Sequence, residues 1–173
     1  MADRRHQTEL RADEILRQLT ARGVDFVVIG GIAAVLHGSP STTYDLDVCY
    51  ATDPGNLAAL GEVLRELDVQ LRGIDDELPF TPDGEALRRV ELLTLVTKFG
   101  ELDLLSNPVG SPGYQALRRR ADRFDLGGFS VLVASIDDLI AMKTAAGRTK
   151  DLAAAQELEA IKELQASDMA HPG

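Results

Sequence analysis

Apolar residues recur along the chain with two periods, and each change of period marks a boundary between predicted elements. Leu10, Ile15, Leu16 and Leu19 recur at helical spacing and predict an amphipathic helix at the start of the chain. Alternating or β-branched apolar runs indicate strands elsewhere. The pattern predicts helices over residues 8–22, 32–36, 54–67, 114–122, 136–146 and 150–165, and strands over residues 27–29, 45–50, 69–71, 124–125 and 130–133.

Local signals fix the ends of several of these helices. Asp53 is a predicted N-cap with Pro54 just inside its helix, and Ser135 is a predicted N-cap for the helix that follows it. Gly147 is predicted to end the helix that begins after Ser135. Residues 68–84 are predicted to be irregular, and their acidic run at 75–77 indicates a solvated turn, with metal binding as the minor alternative.

One predicted strand, with the sequence DLDVCY, carries two carboxylates. Side chains alternate faces along a strand, so Asp45 and Asp47 point to one side while the apolar residues between them point to a core. Cys49 shares the carboxylate side, where we expect partial burial and no catalytic role. Mg²⁺ relieves the repulsion between such carboxylates and usually binds them together with substrate phosphates. The alternative is a solvated strand edge with two surface aspartates.

A pair of glycines, Gly30 and Gly31, separates the first apolar strand from the short helix after it. Glycine lacks a Cβ, so the backbone can turn sharply here and lie close to a ligand. The free N–H groups of the helix would face the same place and favour an anion, typically a phosphate. An ordinary turn is the alternative, but the carboxylate strand that follows favours a phosphate site beside a metal site.

A third carboxylate is expected from a β-hairpin within residues 90–108, where two apolar runs flank a turn at residues 98–100. Asp103 stands among leucines in the second run, and a buried carboxylate without a partner is costly. Glu101 lies two residues earlier and therefore faces the same side of the strand. Both acids are candidates from alternation alone.

The glycine pair, the short loop and the D-x-D strand together resemble the DNA polymerase β-like nucleotidyltransferase superfamily. The details are similar to its toxin-type stand-alone branch, which includes AbiEii-like and MenT-like proteins. Ser41 stands where that branch often has arginine, which bears on one loop contact to phosphate or RNA. The residues in the family's register are Gly30, Gly31, Ala33, His37, Gly38, Thr43, Asp45 and Asp47.

The resemblance implies roles for particular residues. It implies that Asp45, Asp47 and Asp103 bind two Mg²⁺ ions, with Mn²⁺ as a substitute, and that Asp103 rather than Glu101 is the third acid. The segment K-T-A-A-G-R-T-K-D resembles the K, R and K-D residues of a helix that follows the catalytic core in the toxin-type branch, with Lys143, Arg148, Lys150 and Asp151 in those places. The residues implied to contact the nucleotide are Gly30, Gly31, Ser39, Lys143, Arg148 and Asp151, with Lys143 also implied in catalysis and Asp151 as the ion-pair partner of Lys143 or Arg148.

The elements and the resemblance together imply an α/β (α+β) nucleotidyltransferase fold, with a small mixed β-sheet flanked by helices. We expect a nucleotidyltransferase core over residues 1–134 and a C-terminal helical extension over residues 135–173, packed on the core.

The composition of the chain limits the kinds of binding partner that we expect. The chain has 173 residues and a formal net charge of −10, which argues against broad non-specific binding of nucleic acid. Its densest positive cluster away from the N-terminus is Arg118–Arg120 with Arg123, for which a solvated helix face is the first interpretation and a polyanion contact the second. No long apolar span or signal-peptide pattern is present, so we expect a cytoplasmic protein without membrane contact.

The function that the resemblance implies is transfer of NMP from an NTP to an acceptor hydroxyl, by a toxin that modifies tRNA 3′ ends and is neutralised by a cognate antitoxin. The alternatives are transfer to a protein or to a small molecule such as an antibiotic. A non-catalytic nucleotide-binding or antitoxin module is a further alternative, against which the retention of all three carboxylates argues.

Overall fold

The computed structural model describes residues 9–73 and 82–170. The acidic run at 75–77 therefore lies outside the described residues. The helices are α1 Ala12–Ala21, α2 Gly30–Leu36, α3 Pro54–Glu66, α4 Gly84–Arg88, α5 Tyr114–Arg120, α6 Ile136–Ala146 and α7 Thr149–Ala170. The strands are β1 Phe26–Ile29, β2 Asp45–Tyr50, β3 Gln70–Leu71, β4 Leu92–Thr97, β5 Gly100–Leu105, β6 Asp122–Asp125 and β7 Ser130–Val133.

The described strands form one mixed sheet with the order β3-β4-β5-β2-β1-β7-β6. The β2–β5 and β1–β7 pairs are parallel, and the other pairs are antiparallel. This sheet and the helices around it confirm the predicted mixed α/β fold. The hairpin predicted within residues 90–108 is the β4–β5 pair.

The predicted helix ends are confirmed where local capping determines them. The Asp53 side chain accepts a hydrogen bond from the backbone N–H of Asn56, and the Ser135 hydroxyl accepts one from Asp138. Gly147 takes the left-handed conformation, with φ of 72°, just after α6.

Other boundaries differ from the prediction. Helix α1 begins at Ala12 rather than at residue 8, and α2 begins at Gly30, so the glycine pair is its first turn rather than a separate turn. Helix α5 ends at Arg120 because β6 starts at Asp122 and pairs with β7. Helix α7 continues to Ala170, five residues beyond its predicted end. The short helix α4 was not predicted, although Asp83 caps its first turn by accepting a hydrogen bond from the backbone N–H of Ala86.

The core lies between the sheet and the helices, and it includes the C-terminal part of the chain. Leu139 of α6 and Leu158 of α7 are buried in the same cluster as the strand residues Val28 and Val48. Cys49 is fully buried, which corrects the expectation of partial burial, and burial raises the pKa of its thiol to about 12. Among the described residues, no helix has the length and apolar character needed to cross a membrane.

Candidate active site

Three aspartates meet on one face of the sheet. The parallel β2–β5 register places Asp47 directly beside Asp103, and Asp45 lies two residues along β2 on the same face. One oxygen from each of the three carboxylates lies within 4.8 Å of the others. The structure therefore brings together the three acids that the sequence indicated. Glu101 is paired with Asp45 in the sheet but is not part of this cluster.

The three carboxylates are electrostatically strained. Burial, followed by the charges of Asp45 and Asp103, raises the pKa of Asp47 to about 8. Burial also raises the pKa of Asp103, while the nearby Arg72 guanidinium lowers it. Close, partly buried oxygen ligands that repel one another fit a hard divalent cation, whose charge offsets the repulsion. The residues present thus fit the metal that the resemblance implies, without distinguishing Mg²⁺ from Mn²⁺.

The glycine pair lies directly against these acids. Gly30 has φ of +69°, and a Cβ at this position would overlap the carboxylate of Asp47. A Cβ on Gly31 would lie 2.6 Å from the hydroxyl oxygen of Thr43. Both glycines are therefore required for the close approach of β1 and α2 to β2. Since α2 has only seven residues, we expect an anion to be bound by the first-turn amides, which have no acceptor within the helix, rather than by a helix dipole.

Cationic side chains from the C-terminal helices line the same cleft as the glycine pair. Lys143 belongs to α6, Arg148 follows Gly147, and both contact the buried carboxylate of Asp151. The Arg148 Nε lies 2.7 Å from Asp151 Oδ2, and the Lys143 Nζ lies 3.6 Å from Asp151 Oδ1. The hydrogen bond from Arg148 lowers the pKa of Asp151. The positive charge of Lys143 also acts on the aspartate cluster, where it lowers the pKa of Asp47.

The hydroxyl-rich loop after α2 is bound to α7. The hydroxyl of Ser39 donates a hydrogen bond to Glu157, and that of Ser41 donates to Glu157 Oε2 at 3.2 Å. Ser39 does line the cleft, as its expected nucleotide contact requires, but its hydroxyl is already used in this contact. His37, which precedes the loop, hydrogen-bonds the backbone oxygen of Ala134 at 2.8 Å and so joins α2 to the end of β7.

Arg72 is a residue that the sequence analysis missed. Its Nη2 donates a hydrogen bond of 2.8 Å to Asp103 Oδ1 and lies 3.6 Å from Glu101 Oε2. The position follows from the sheet, because the backbone N–H of Arg72 bonds Thr94, and Thr94 is the β4 partner of Asp103. Strand β3 has only two residues, so no local pattern signals this contact. Glu157 was also missed, because its contacts with Ser39 and Ser41 join residues that are far apart in the sequence.

Apart from Arg72, Glu101 and His37, the side chains described above line one cleft of ≈ 600 Å³. The cleft holds the three aspartates, the glycine pair and the cations of the α6–α7 region. The basic cluster of α5 lies elsewhere: Arg118 lines a separate depression near Asp25, and Arg120 lies 3.4 Å from the carboxylate of Asp138. Arg123 hydrogen-bonds the hydroxyl of Ser130.

The fold and the site define a class of protein: a mixed sheet with clustered aspartates beside a glycine turn is the architecture of a nucleotidyltransferase. The chain belongs to the DUF2204 family, described as a nucleotidyl transferase of unknown function, which matches residues 8–170. This membership confirms the enzyme class expected from the sequence. A comparison with curated proteins found no match.

Solved nucleotidyltransferase structures share the fold at low sequence identity. The lincosamide antibiotic adenylyltransferase LnuA, solved with lincomycin bound, has a TM-score of 0.57 and 14% identity, with 87% of this chain and 95% of that chain covered. An antigenic nucleotidyltransferase-like protein from Paracoccidioides brasiliensis has a TM-score of 0.55 and 17% identity, over 90% of this chain and 78% of that one. The antibiotic-resistance factor ANT(2″)-Ia has a TM-score of 0.53 and 14% identity, over 92% and 91%. These likenesses confirm the predicted fold.

Proposed function

We propose that this protein transfers NMP from an NTP to an acceptor hydroxyl in a reaction that depends on Mg²⁺ or Mn²⁺. The observation that carries the proposal is the cluster of Asp45, Asp47 and Asp103 beside the Gly30–Gly31 turn. Clustered carboxylates hold divalent cations, and a glycine turn lets backbone amides approach phosphates.

The cleft supplies each part of such a reaction. Asp45 and Asp47 would hold cations shared with the NTP phosphates, and Asp103 would complete the site on the side of the acceptor. When bound, the cations would lower the pKa of the acceptor hydroxyl and stabilise charge on the attacking and leaving oxygens. Lys143 would contact the departing pyrophosphate, because its flexible ammonium lies near Asp47. Arg148 and Asp151 would hold Lys143 in place.

The transfer step involves one bond formed and one broken. The acceptor oxygen bonds to the α-phosphorus, and the bond from that phosphorus to the oxygen bridging to the β-phosphate breaks. Pyrophosphate leaves with that oxygen and its electron pair. The proton of the acceptor hydroxyl passes to Asp103 and then to solvent.

Three kinds of acceptor are compatible with this chemistry: tRNA, a small molecule and a protein. The toxin-type resemblance suggests tRNA 3′ ends in the cytoplasm, with a cognate antitoxin as partner. The fold of the antibiotic adenylyltransferases LnuA and ANT(2″)-Ia suggests a small molecule instead. Transfer to a protein and nucleotide binding without transfer are the remaining alternatives.

The experiment that tests the proposal follows label from each NTP, labelled at the α-phosphate, into total tRNA, total protein and small molecules. The Asp45→Asn protein is compared with wild type, and Asp168→Asn is the matched control because Asp168 is exposed near the end of α7. We expect Mg²⁺-dependent transfer by wild type and Asp168→Asn, and none by Asp45→Asn. Full transfer by a well-folded Asp45→Asn protein would contradict the mechanism.

A further inference from the structure

The cleft has two chemically different sides. In the described part of the chain, its lining cations are Lys143, Arg148 and Lys150, all from the α6–α7 region. That side carries the charge that a triphosphate requires. β4, β5 and the loop after β5 contribute no cation to the lining, and apart from Asp103 their lining residues are apolar: Leu92, Leu105, Pro108 and Val109. We expect this second side of the cleft to bind a different ligand, because the triphosphate would be bound by the cations of the α6–α7 region.

The apolar side adjoins the third carboxylate. Leu105 lies two residues beyond Asp103 on the same face of β5, and Leu92 is its direct partner across the β4–β5 pair. Pro108 and Val109 continue this lining from the following loop. Any molecule bound there would lie against Asp103, which is where the acceptor hydroxyl must be placed.

This side is exposed as well as apolar. Val109 is 73% exposed and Leu92 is 55% exposed, although their side chains are large and apolar. The loop that carries Val109 is held in place, because a Cβ on Gly110 would lie 3.0 Å from the backbone oxygen of Ala141 in α6. Exposed apolar residues grouped in a cleft mark a ligand-binding surface more often than isolated ones do.

The charges around this side do not suit a polyanion. The guanidinium of Arg72, next to Asp103, is already bound to Asp103 and Glu101. Arg118 lines a separate depression and Arg120 pairs with Asp138, and neither side chain lines the cleft. A nucleic-acid acceptor needs cations along the path of its phosphates, and the protein has a net charge of −10.

We infer that the acceptor is a small, non-anionic molecule that carries its reactive hydroxyl beside an apolar face. The apolar face packs on Leu92, Leu105 and Val109, and the hydroxyl points to Asp103. This inference rests on the proposed nucleotidyl transfer and specifies the substrate class of the same site. It favours a small molecule over tRNA or protein as the acceptor.

The test uses the full-length protein with a protein-free small-molecule extract of the source organism, total tRNA and total protein as the acceptors. The extract is divided on a reversed-phase resin into retained and unretained fractions. The variants are Val109→Lys, Val109→Ser and Leu92→Lys. The control is Leu164→Lys, which changes an exposed leucine of α7 outside the cleft. Binding of fluorescent NTP analogues with Mg²⁺ is measured for every variant.

We expect label in the retained small-molecule fraction. Val109→Lys and Leu92→Lys should each reduce that transfer about tenfold or more, because each removes a contact worth a buried apolar side chain. Val109→Ser should cause a smaller loss, and Leu164→Lys none. NTP-analogue binding should be unchanged in all four variants.

Several results would overturn the inference. These are label mainly in tRNA or protein, tRNA transfer that increases in Val109→Lys, small-molecule transfer that all three cleft variants leave intact, or no labelled acceptor from a wild-type protein that binds NTP analogues. Failure of the wild-type protein to bind any NTP analogue with Mg²⁺ would instead overturn the proposed function itself.

Discussion

At the scale of single residues, Asp103 depends on a neighbour that the local sequence does not reveal. Arg72 bonds one oxygen of this carboxylate at 2.8 Å, which leaves the other oxygen free to face Asp47. The Arg72 side chain does not line the cleft, so it acts from behind the acid rather than on the substrate. We regard Arg72 as a positioning residue for the third carboxylate.

The first prediction concerns this pair. Arg72→Met should lower the rate of transfer ~10- to 100-fold, because a small displacement of a catalytic group is costly. The KM for NTP should change little, since Asp45 and Lys143 remain in place. Arg72→Lys should retain part of the activity, and added guanidinium should rescue an Arg72→Ala protein better than added ammonium does.

The control for this prediction is Arg89→Met. Arg89 forms an exposed ion pair with Glu85, so its loss should leave the rate unchanged. A proportional change in rate and in KM for NTP, without guanidinium rescue, would show that Arg72 has only a general structural role.

At the scale of elements, the sequence was most informative where short-range signals coincide. The β1–α2–β2 unit could be predicted because apolar runs, the Gly30–Gly31 pair and the alternation around Asp45 lie within 25 residues, Phe26–Tyr50. Strand β3 was predicted as a short strand over residues 69–71, but the contact of Arg72 beyond it depends on pairing with a distant strand. The register that joins Asp47 to Asp103 is likewise a product of the assembled sheet.

The β1–α2 junction gives the element-scale prediction. Gly30→Ala should destabilise the protein and abolish cation binding for two reasons. The new Cβ would overlap the Asp47 carboxylate, and alanine would have to adopt the positive φ that Gly30 has. Gly128→Ala is the matched control, since Gly128 has φ of +86° with nothing within 4 Å of the added Cβ. We expect a loss of ~1 kcal/mol from the backbone conformation in the control and at least ~1 kcal/mol more in Gly30→Ala.

Urea unfolding and cation titration check this comparison. Equal destabilisation by the two substitutions, with cation binding intact in Gly30→Ala, would mean that the contact between Gly30 and Asp47 is unimportant.

At the scale of the whole molecule, the core and the C-terminal helices form one cleft. We propose that the extension over residues 135–173 is a functional part of the enzyme rather than an addition, because it supplies the cations Lys143 and Arg148. The same helices bury Leu139 and Leu158 in the common core. Sequence patterns predicted the helices through their caps and apolar spacing, but the cleft between distant parts of the chain required the assembled structure.

Because the acids lie at the centre of this assembly, their repulsion should affect the stability of the whole protein. In EDTA, the crowding of Asp45, Asp47 and Asp103 in a partly buried site disfavours their full ionisation, because three carboxylates there would repel one another. Adding Mg²⁺ or Mn²⁺ at about 100 times its Kd should raise the Tm by about 5–10 °C, because the cation binds only the folded state. Because the pKa of Asp47 is raised to about 8, the folded protein at pH 7 in EDTA keeps this carboxyl mostly protonated while the unfolded chain ionises it, which favours unfolding. Asp47→Asn removes this cost, so its Tm in EDTA at pH 7 should equal or exceed that of wild type.

The same substitution should also remove most of the cation-induced increase in Tm, because Asp47 would be a ligand at the centre of the site. Asp168→Asn, which changes an exposed acid, should keep both the wild-type Tm and the wild-type increase. Thermal unfolding followed by circular dichroism, with and without each cation, measures both quantities. If Asp47→Asn is less stable than wild type in EDTA and still gains the full increase, then the acids do not form a shared cation site. The stability of the molecule would in that case depend on Asp47 as a structural group, and the transfer chemistry would need another centre.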